Sequence, residues 1–582
     1  MTNDTHAPNE SSDSNGTEPL APLARLAYLF GGFALLAAGG PGWLTQDGTP
    51  LAALGLVPWA LAASRPGRFK KRIEWLAGGS LFVAQTNWMG IVFWFAVPWD
   101  FVGAGFYGIF AGWLCLRLAR RWPLALAAPL AWIGSESLLT WTFPPIGLSW
   151  LRLGHDFGGA MGLAGSGRVW GVVGLGFVAA ALAGLVADLV RSRGRAPRAS
   201  WVSGLTPVAL ALVLAIAVPA PETVPGPRLL LVQPAFEQAR KQSTGSREEL
   251  FGESLELTRV ALEELAAEGE APPDLVCWGE TMLPFPIAEP GLDAEIQELV
   301  IDPWHPFSGA TGPQLAGLMR RLDGWEGWVH DGFFGGAGGR RLRGERLLDA
   351  RTSFLSGVEM YVAREGRLRR TNSVVLWRDG ERMAVGRKRH LAPGGETMVG
   401  LERFGWVRDL IYDVAGYVPD FLPAERTEVL PLAGPERTWG IATSICFDNS
   451  FTDVFAGPLR REPVDLHLVV TNEAWYRDSQ ELDQMVAFSK LAALCTGRAV
   501  VRCANSGVSG AFGADGRELA RLVVDGRDRE VRGTLVVDAP VPADASATTP
   551  YVWLEPWLKP LAILAPLLLL ALGRRRRGRA GS

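Results

Sequence analysis

The sequence predicts a multi-pass α-helical membrane domain joined to a large α/β domain, and three observations carry that fold class. Apolar residues crowd into 20–220, whereas 225–555 has ordinary globular composition. Basic residues recur in alternate loops of the apolar part. Between 225 and 555, short β-rich runs alternate with helical stretches. A single soluble globule is thereby excluded, although the averages over 582 residues (48% hydrophobic, 20% charged) look ordinary. The net charge of −3 argues against a general polyanion binder, so no nucleic acid partner is expected. Five cysteines, few and odd in number, do not suit a disulfide-stapled secreted module.

Residues 1–22 open the chain as a polar stretch rich in Asn, Ser, Thr and Pro, without the charged start or apolar core of a signal peptide. They are expected to form a disordered tail. A helix crossing the hydrocarbon core needs about 20 mainly apolar residues. Seven candidates fall within 23–221, at about 23–40, 50–64, 75–97, 102–119, 123–141, 169–190 and 204–220. An eighth lies at 556–573, ahead of the basic tail 574–582. Core helices of a soluble domain rarely recur so often in one chain.

The loops set the orientation, because Lys and Arg are retained on the cytoplasmic side. Clusters at Arg65–Arg72, Arg117–Arg121, Arg191–Arg198 and Arg574–Arg579 each follow an even-numbered span. The alternate loops hold little basic charge apart from Arg152 and Arg168. Both ends of the chain are therefore expected in the cytoplasm, with 225–555 outside it.

That large segment reads as strands at Leu229–Gln233, Leu275–Trp278, Ser373–Trp377, Trp439–Cys446, Leu466–Thr471, Ala499–Cys503 and Gly533–Val537, with helices over 247–267 and 480–496. The stretch 298–350 shows no clear period and is expected to be a long surface excursion, a possible lid. Its aromatic residues Trp304, Phe307, Trp325, Trp328, Phe333 and Phe334 suit contact with lipid, or equally a small core of its own.

Nucleophile-elbow, phosphate-loop and zinc-protease motifs are missing, and the six histidines have no metal-ligand spacing with the cysteines. Three strand-end positions stand out instead. Glu280 follows the run DLVCW, Lys388 lies in GRKRHLAPGGE, and Cys446 ends the run WGIATSIC. A desolvated carboxylate can take a thiol proton, and the thiolate then attacks a carbonyl. An ammonium with backbone N–H groups can hold the oxyanion that forms. Each residue alone has a plainer reading: Cys446 as packing, Glu280 as a carboxylate at a strand-to-turn junction. Lys388 is more telling, since the chain has 51 Arg and 6 Lys and ordinary positive charge falls to Arg.

In that order, CWGE, GRKRHLAPGGE and SICFDN resemble the Glu–Lys–Cys signatures of the nitrilase (carbon–nitrogen hydrolase) superfamily. LLVQPAFEQARK, KRHLAPGGE, TNEAWYRDS and GRAVVRCANSGVSG, with Glu136, Phe143-Pro144, LRLGH and GVVGLGF in the apolar part, narrow the resemblance to apolipoprotein N-acyltransferases. The resemblance implies an α-β-β-α sandwich for 225–555. It also implies an enzyme of the bacterial inner (plasma) membrane with its catalytic domain in the periplasm, a monomer whose partners are the bilayer, a phospholipid acyl donor and an apolipoprotein acceptor. Cys446 would take an acyl chain from a phospholipid as a thioester and pass it to the N-terminal amine of a diacylglyceryl-cysteine apolipoprotein. Glu280 would be general base, Lys388 the oxyanion partner and Glu396 the residue that orients Lys388. Asp448 would support the nucleophile, and Trp475 would stand near the lipid entrance. Arg502 and Asn505 fit scaffold positions. No metal, nucleotide or coenzyme A is required.

The sequence departs from that pattern at Asp448, where the family has Glu, and at Gly279, Gly386, Gly394 and Gln242. Two other readings stay open at this point. One is a membrane-tethered amidase of the same superfamily using water; the other is an inactive scaffold or transporter. Cys115 falls in an expected membrane span, and Cys277, Cys495 and Cys503 are expected to be core residues.

Overall fold

The computed structural model describes residues 18–92, 96–142, 150, 152–158, 162–305, 307–335, 346–415 and 418–579. Most of the polar stretch 1–22, the Phe143-Pro144 pair and the glycine- and arginine-rich part of the excursion (336–345) lie outside the described residues.

Apolar helices form at Pro22–Ala38, Leu56–Ala63, Ala96–Leu118, Leu124–Thr142, Gly167–Arg191, Arg198–Ala217 and Pro550–Arg579. Four stretches are long and apolar enough to cross a membrane: Val97–Leu118, Leu163–Arg191, Arg198–Ala217 and Pro550–Leu572. The stretch 75–97 holds most of a helix over Lys70–Thr86, which carries Glu74 one turn in, and a short helix over Met89–Val92. Glu74 is buried, ion-paired to Lys70 and 3.9 Å from Arg25, so its charge is answered within the bundle. Small residues let the helices approach closely. A Cβ on Gly32 would meet Pro58 Cγ at 2.8 Å and one on Gly78 would meet Gly108 Cα at 2.9 Å.

The α/β part stacks two sheets face to face. The first runs in the order Gly533–Asp538, Arg228–Gln233, Leu275–Trp278, Ser353–Arg364, Arg367–Arg378, Glu381–Arg387. The second runs Glu518–Arg521, Gly510–Phe512, Ala499–Ala504, Leu466–Thr471, Thr438–Ile445, Val429–Ala433. Central strands are parallel and outer ones antiparallel. Period-two alternation divides their side chains. Leu229, Leu231, Cys277, Leu466, Leu468 and Val470 fill the space between the sheets. Leu230, Val232, Val276 and Trp278 face the helix Arg247–Ala267, whereas Val469 and Val500 face the helices Thr452–Leu459 and Gln480–Thr496. Helix, sheet, sheet and helix therefore form four layers.

Helix Gln480–Thr496 is also the seat of this sandwich on the apolar helices. Gln484 accepts from Trp88 Nε1 (3.1 Å) and donates to Gln85 O (2.9 Å), and Lys490 is ion-paired to Asp47. Asp47, in the turn after the helix Pro22–Ala38, and Gln85 and Trp88, in and just past the last turn of Lys70–Thr86, lie away from the basic loops at Arg65–Arg72 and Arg117–Arg121. Glu136 accepts from Trp132 Nε1 and from the Leu153 backbone, which anchors the turn Leu153–Phe157.

The excursion 298–350 is not aperiodic. It contains a helix, Gly312–Val329, opened by a Thr311/Gln314 capping box. Leu315, Leu318, Met319 and Leu322 make its inner stripe against Leu292, Ile296, Tyr361 and Leu368. Phe333 and Phe334 are buried and Trp325 and Trp328 pack beside them, so these rings serve a core rather than a lipid-facing surface.

Candidate active site

Three strand ends and one edge-strand exit meet at one rim of the sandwich. Glu280 lies two residues past Trp278, Cys446 directly follows Ile445, Asn472 directly follows Thr471, and Lys388 directly follows Arg387. Carboxyl ends of parallel strands are where open sheets present ligand-binding groups.

The Lys388 ammonium is buried between two carboxylates, 2.8 Å from Glu396 Oε2 and 3.5 Å from Glu280 Oε1. Asn372, from the strand Arg367–Arg378, donates through Nδ2 to Glu280 Oε1 and to Glu396 Oε1, each at 2.7 Å. The other oxygen of Glu280 accepts from the Asn472 backbone N–H at 2.9 Å. Glu396 Oε2 also accepts from Ala392 N at 2.8 Å, which curls the loop after Lys388 back on itself. Burial opposes the Lys388 charge, but Glu396 and then Glu280 outweigh it and hold the ammonium above its ordinary range.

Cys446 is buried and has φ of 51°, left-handed backbone that a non-glycine residue seldom adopts. Burial pushes its thiol well above the ordinary range; the Glu280 charge adds to this and the Lys388 charge opposes it. Glu280 and Lys388 thus lie within electrostatic reach of Sγ. Asp448 ties the turn at Cys446 to the loop after Lys388. It accepts from Ile445 N (3.2 Å), Arg389 N (3.2 Å) and His390 N (2.7 Å).

Glu280, Lys388, Cys446, Glu396 and Asp448 therefore come together. Trp475 is 37% exposed, at the end of the turn Glu473–Trp475. Beneath that turn Arg502 is ion-paired to Glu473, both fully buried. Asn505 donates to Phe236 O (2.8 Å) and accepts from Phe236 N (3.0 Å), a structural staple.

Two of the departures have steric reasons. A Cβ at Gly386 would meet Thr443 Oγ1 at 2.5 Å, so a ring does not fit beside the facing strand. Gly394 has φ of 78°, which suits glycine in the turn between Lys388 and Glu396. Asn372 and Asn472 were not foreseen. Asn372 had one signal: Thr371-Asn372-Ser373 is a polar triplet, wholly buried, directly ahead of the apolar run Val374–Trp377. All five cysteines are buried and free, and the Cys503 thiol lies 3.1 Å from Cys277 O.

Residues 31–185 match the family described as the apolipoprotein N-acyltransferase N-terminal domain. The chain is 27% identical to a Ralstonia nicotianae protein named apolipoprotein N-acyltransferase, over 91% of this chain and 94% of that one. It is 28% identical to the Azotobacter vinelandii protein of the same name, over 92% of this chain and 98% of that one. Among solved structures, an amidase from Nesterenkonia sp. AN1 covers 55% of this chain and 95% of its own, at 16% identity and a TM-score of 0.32. Saccharomyces cerevisiae Nit3, described as a member of branch 10 of the nitrilase superfamily, covers 57% and 95%, at 12% identity and a TM-score of 0.31. The resemblance carried by the motifs thus extends along most of the sequence.

Proposed function

We propose that this chain, similar over about nine-tenths of its length to apolipoprotein N-acyltransferases, N-acylates lipoproteins by way of an acyl-cysteine. The observation that carries the reading is the cluster of Glu280, Asn372, Lys388 and Glu396, joined by hydrogen bonds and ion pairs beside Cys446.

In the first half-reaction Glu280 takes the Cys446 proton, and the thiolate attacks the sn-1 ester carbonyl of a phospholipid. Lys388 faces the oxyanion. Collapse breaks the C–O bond; the leaving glyceryl oxygen recovers the proton from Glu280, giving lysophospholipid and a thioester. In the second, the amine of a diacylglyceryl-cysteine N-terminus attacks the thioester. Glu280 accepts an amine proton and returns it to sulfur, leaving the amide and free Cys446. Glu396 and Asn372 keep Lys388 and Glu280 in register, and Trp475 stands toward the incoming lipid.

Two-chain lipids leave a bilayer at a cost of about 0.8 kcal/mol per CH₂, so the nucleophile has to be held at the interface. Eight membrane passages, with 225–555 between the seventh and eighth, would hold it there on the extracytoplasmic side. The basic loops and the seating of Gln480–Thr496 on the opposite helix ends support that orientation.

The test is mass spectrometry of purified protein given phospholipid and a diacylglyceryl peptide. The expected products are an acyl thioester on Cys446, lysophospholipid and N-acyl peptide, all absent from Cys446→Ser and Glu280→Gln. Acyl transfer with Cys446 unmodified overturns the mechanism, and free fatty acid or ammonia in place of acyl peptide points to a hydrolase.

A further inference from the structure

We infer that Lys241 is a positioning residue of the acyl-transfer site, an ammonium that pins the Glu280–Thr281 turn and sets positive charge beside Cys446. The inference deepens the proposed function and rests on it.

Lys241 belongs to the short helix Gln238–Gln242, which follows the strand Arg228–Gln233. Its Nζ donates to Glu280 O and to Thr281 Oγ1, both at 3.1 Å, and lies 3.6 Å from Met282 Sδ. Thr281 has φ of 50°, a strained conformation for a β-branched residue, and needs an outside hold. The ammonium supplies it through one bond to Thr281 and one to the Glu280 carbonyl.

The same helix grips Glu280 from its other end. Gln238 Oε1 accepts from Asn472 Nδ2 at 2.8 Å, and the Asn472 N–H donates to Glu280 Oε2. Asn505, bonded to both polar groups of the Phe236 backbone, fixes the approach to this helix. Neighbouring Arg240 turns outward to Glu253 at 2.5 Å. Only Lys241 of this pair reaches the site. A compact point charge suits that place, where a planar guanidinium would need more room.

Glu280 and Cys446 are the titratable groups whose charges reach Lys241. Burial lowers its pKa to about 8, against the pull of those two. The charge is therefore present at neutral pH and is lost as pH rises through about 8.

The test uses full-length protein with Lys241 replaced by Met, Gln or Arg, each checked for folding. Iodoacetamide labelling of the Cys446 peptide is followed by mass spectrometry from neutral to alkaline pH, beside the rate of thioester formation from phospholipid. At neutral pH, where the ammonium is charged, Lys241→Met and Lys241→Gln should slow Cys446 labelling about threefold or more. They should slow thioester formation about tenfold, the loss expected when one hydrogen bond to a reacting group's support is removed. Lys241→Arg should hold the labelling midpoint at or below the unsubstituted value. An unchanged labelling rate at neutral pH in a folded Met or Gln variant overturns the inference, because a merely structural lysine would lower the yield of folded protein and leave the thiol unaffected. Absence of any thioester in the unsubstituted protein would instead defeat the acyl-transfer reading, while the neutral-pH labelling rate still reports on Lys241.

Discussion

Glu280 and Glu396 share one hydrogen-bond donor, Asn372 Nδ2, at 2.7 Å to each. The two carboxylates flank one ammonium, Lys388. Their spacing is therefore set by a neutral side chain as well as by charge, and each of the four groups has a distinct consequence when removed.

Asn372→Ala removes both bonds while leaving every charge in place. Hydrogen bonds to charged groups contribute about 1.5–3 kcal/mol each. Thioester formation on Cys446 is expected to slow by about 10- to 100-fold in protein that still folds, measured in a single turnover with phospholipid. An unchanged rate would mean that Lys388 alone holds the carboxylates.

Lys388→Met leaves Glu280 and Glu396 facing each other without a cation. Breaking a buried pair in this way costs about 3–5 kcal/mol. Thermal unfolding of the purified protein should shift downward, and the double substitution Lys388→Met with Glu396→Gln should recover part of the loss. Activity should not return with it, because the ammonium proposed to face the oxyanion stays absent.

The charges around Cys446 set the sign of its pH dependence. Glu280 raises the thiol's pKa and Lys388 lowers it, on top of the upward push of burial. Cys446 labelling should accelerate with rising pH. Its midpoint should fall in Glu280→Gln and climb in Lys388→Met, and opposite movements would place the two groups on the wrong sides of the sulfur.

Asp448→Ala cuts three backbone bonds that join the left-handed turn at Cys446 to the loop after Lys388. Proteolysis within 389–396 should become faster, and thioester formation should fall by about 100-fold, equivalent to about 3 kcal/mol. Asp448→Asn keeps an acceptor oxygen and should lose less. Asp448→Glu must fit an extra methylene into a buried space and is expected to destabilise by about 1–3 kcal/mol.

Much of the fold was legible because burial imposes a period. The strand Leu275–Trp278 begins and ends where its apolar run does, and Arg228–Gln233 exceeds the expected run by one residue. The hairpin Ser353–Arg364 with Arg367–Arg378 was only half seen, although its two-residue turn, Glu365-Gly366, has φ of 54° and 69°. The helix Gly312–Val329 was missed because glycine and exposed charge interrupt its stripe, which emerges only once Leu315, Leu318 and Leu322 have a surface to pack on. The tryptophans and phenylalanines of that excursion turned inward for the same reason.

Sequence by itself determined which segments are apolar, which loops are basic and which reactive side chains stand at strand ends, since hydropathy and turn chemistry act over a few neighbouring residues. Only the tertiary structure decided that Asn372 and Asn472 complete the carboxylate cage and that Lys241 reaches the turn after Glu280. Glu280 is 92 positions from Asn372 and 192 from Asn472. Contacts at that range follow from sheet register and layer packing, and local periodicity reports which face a side chain takes without reporting what it meets there.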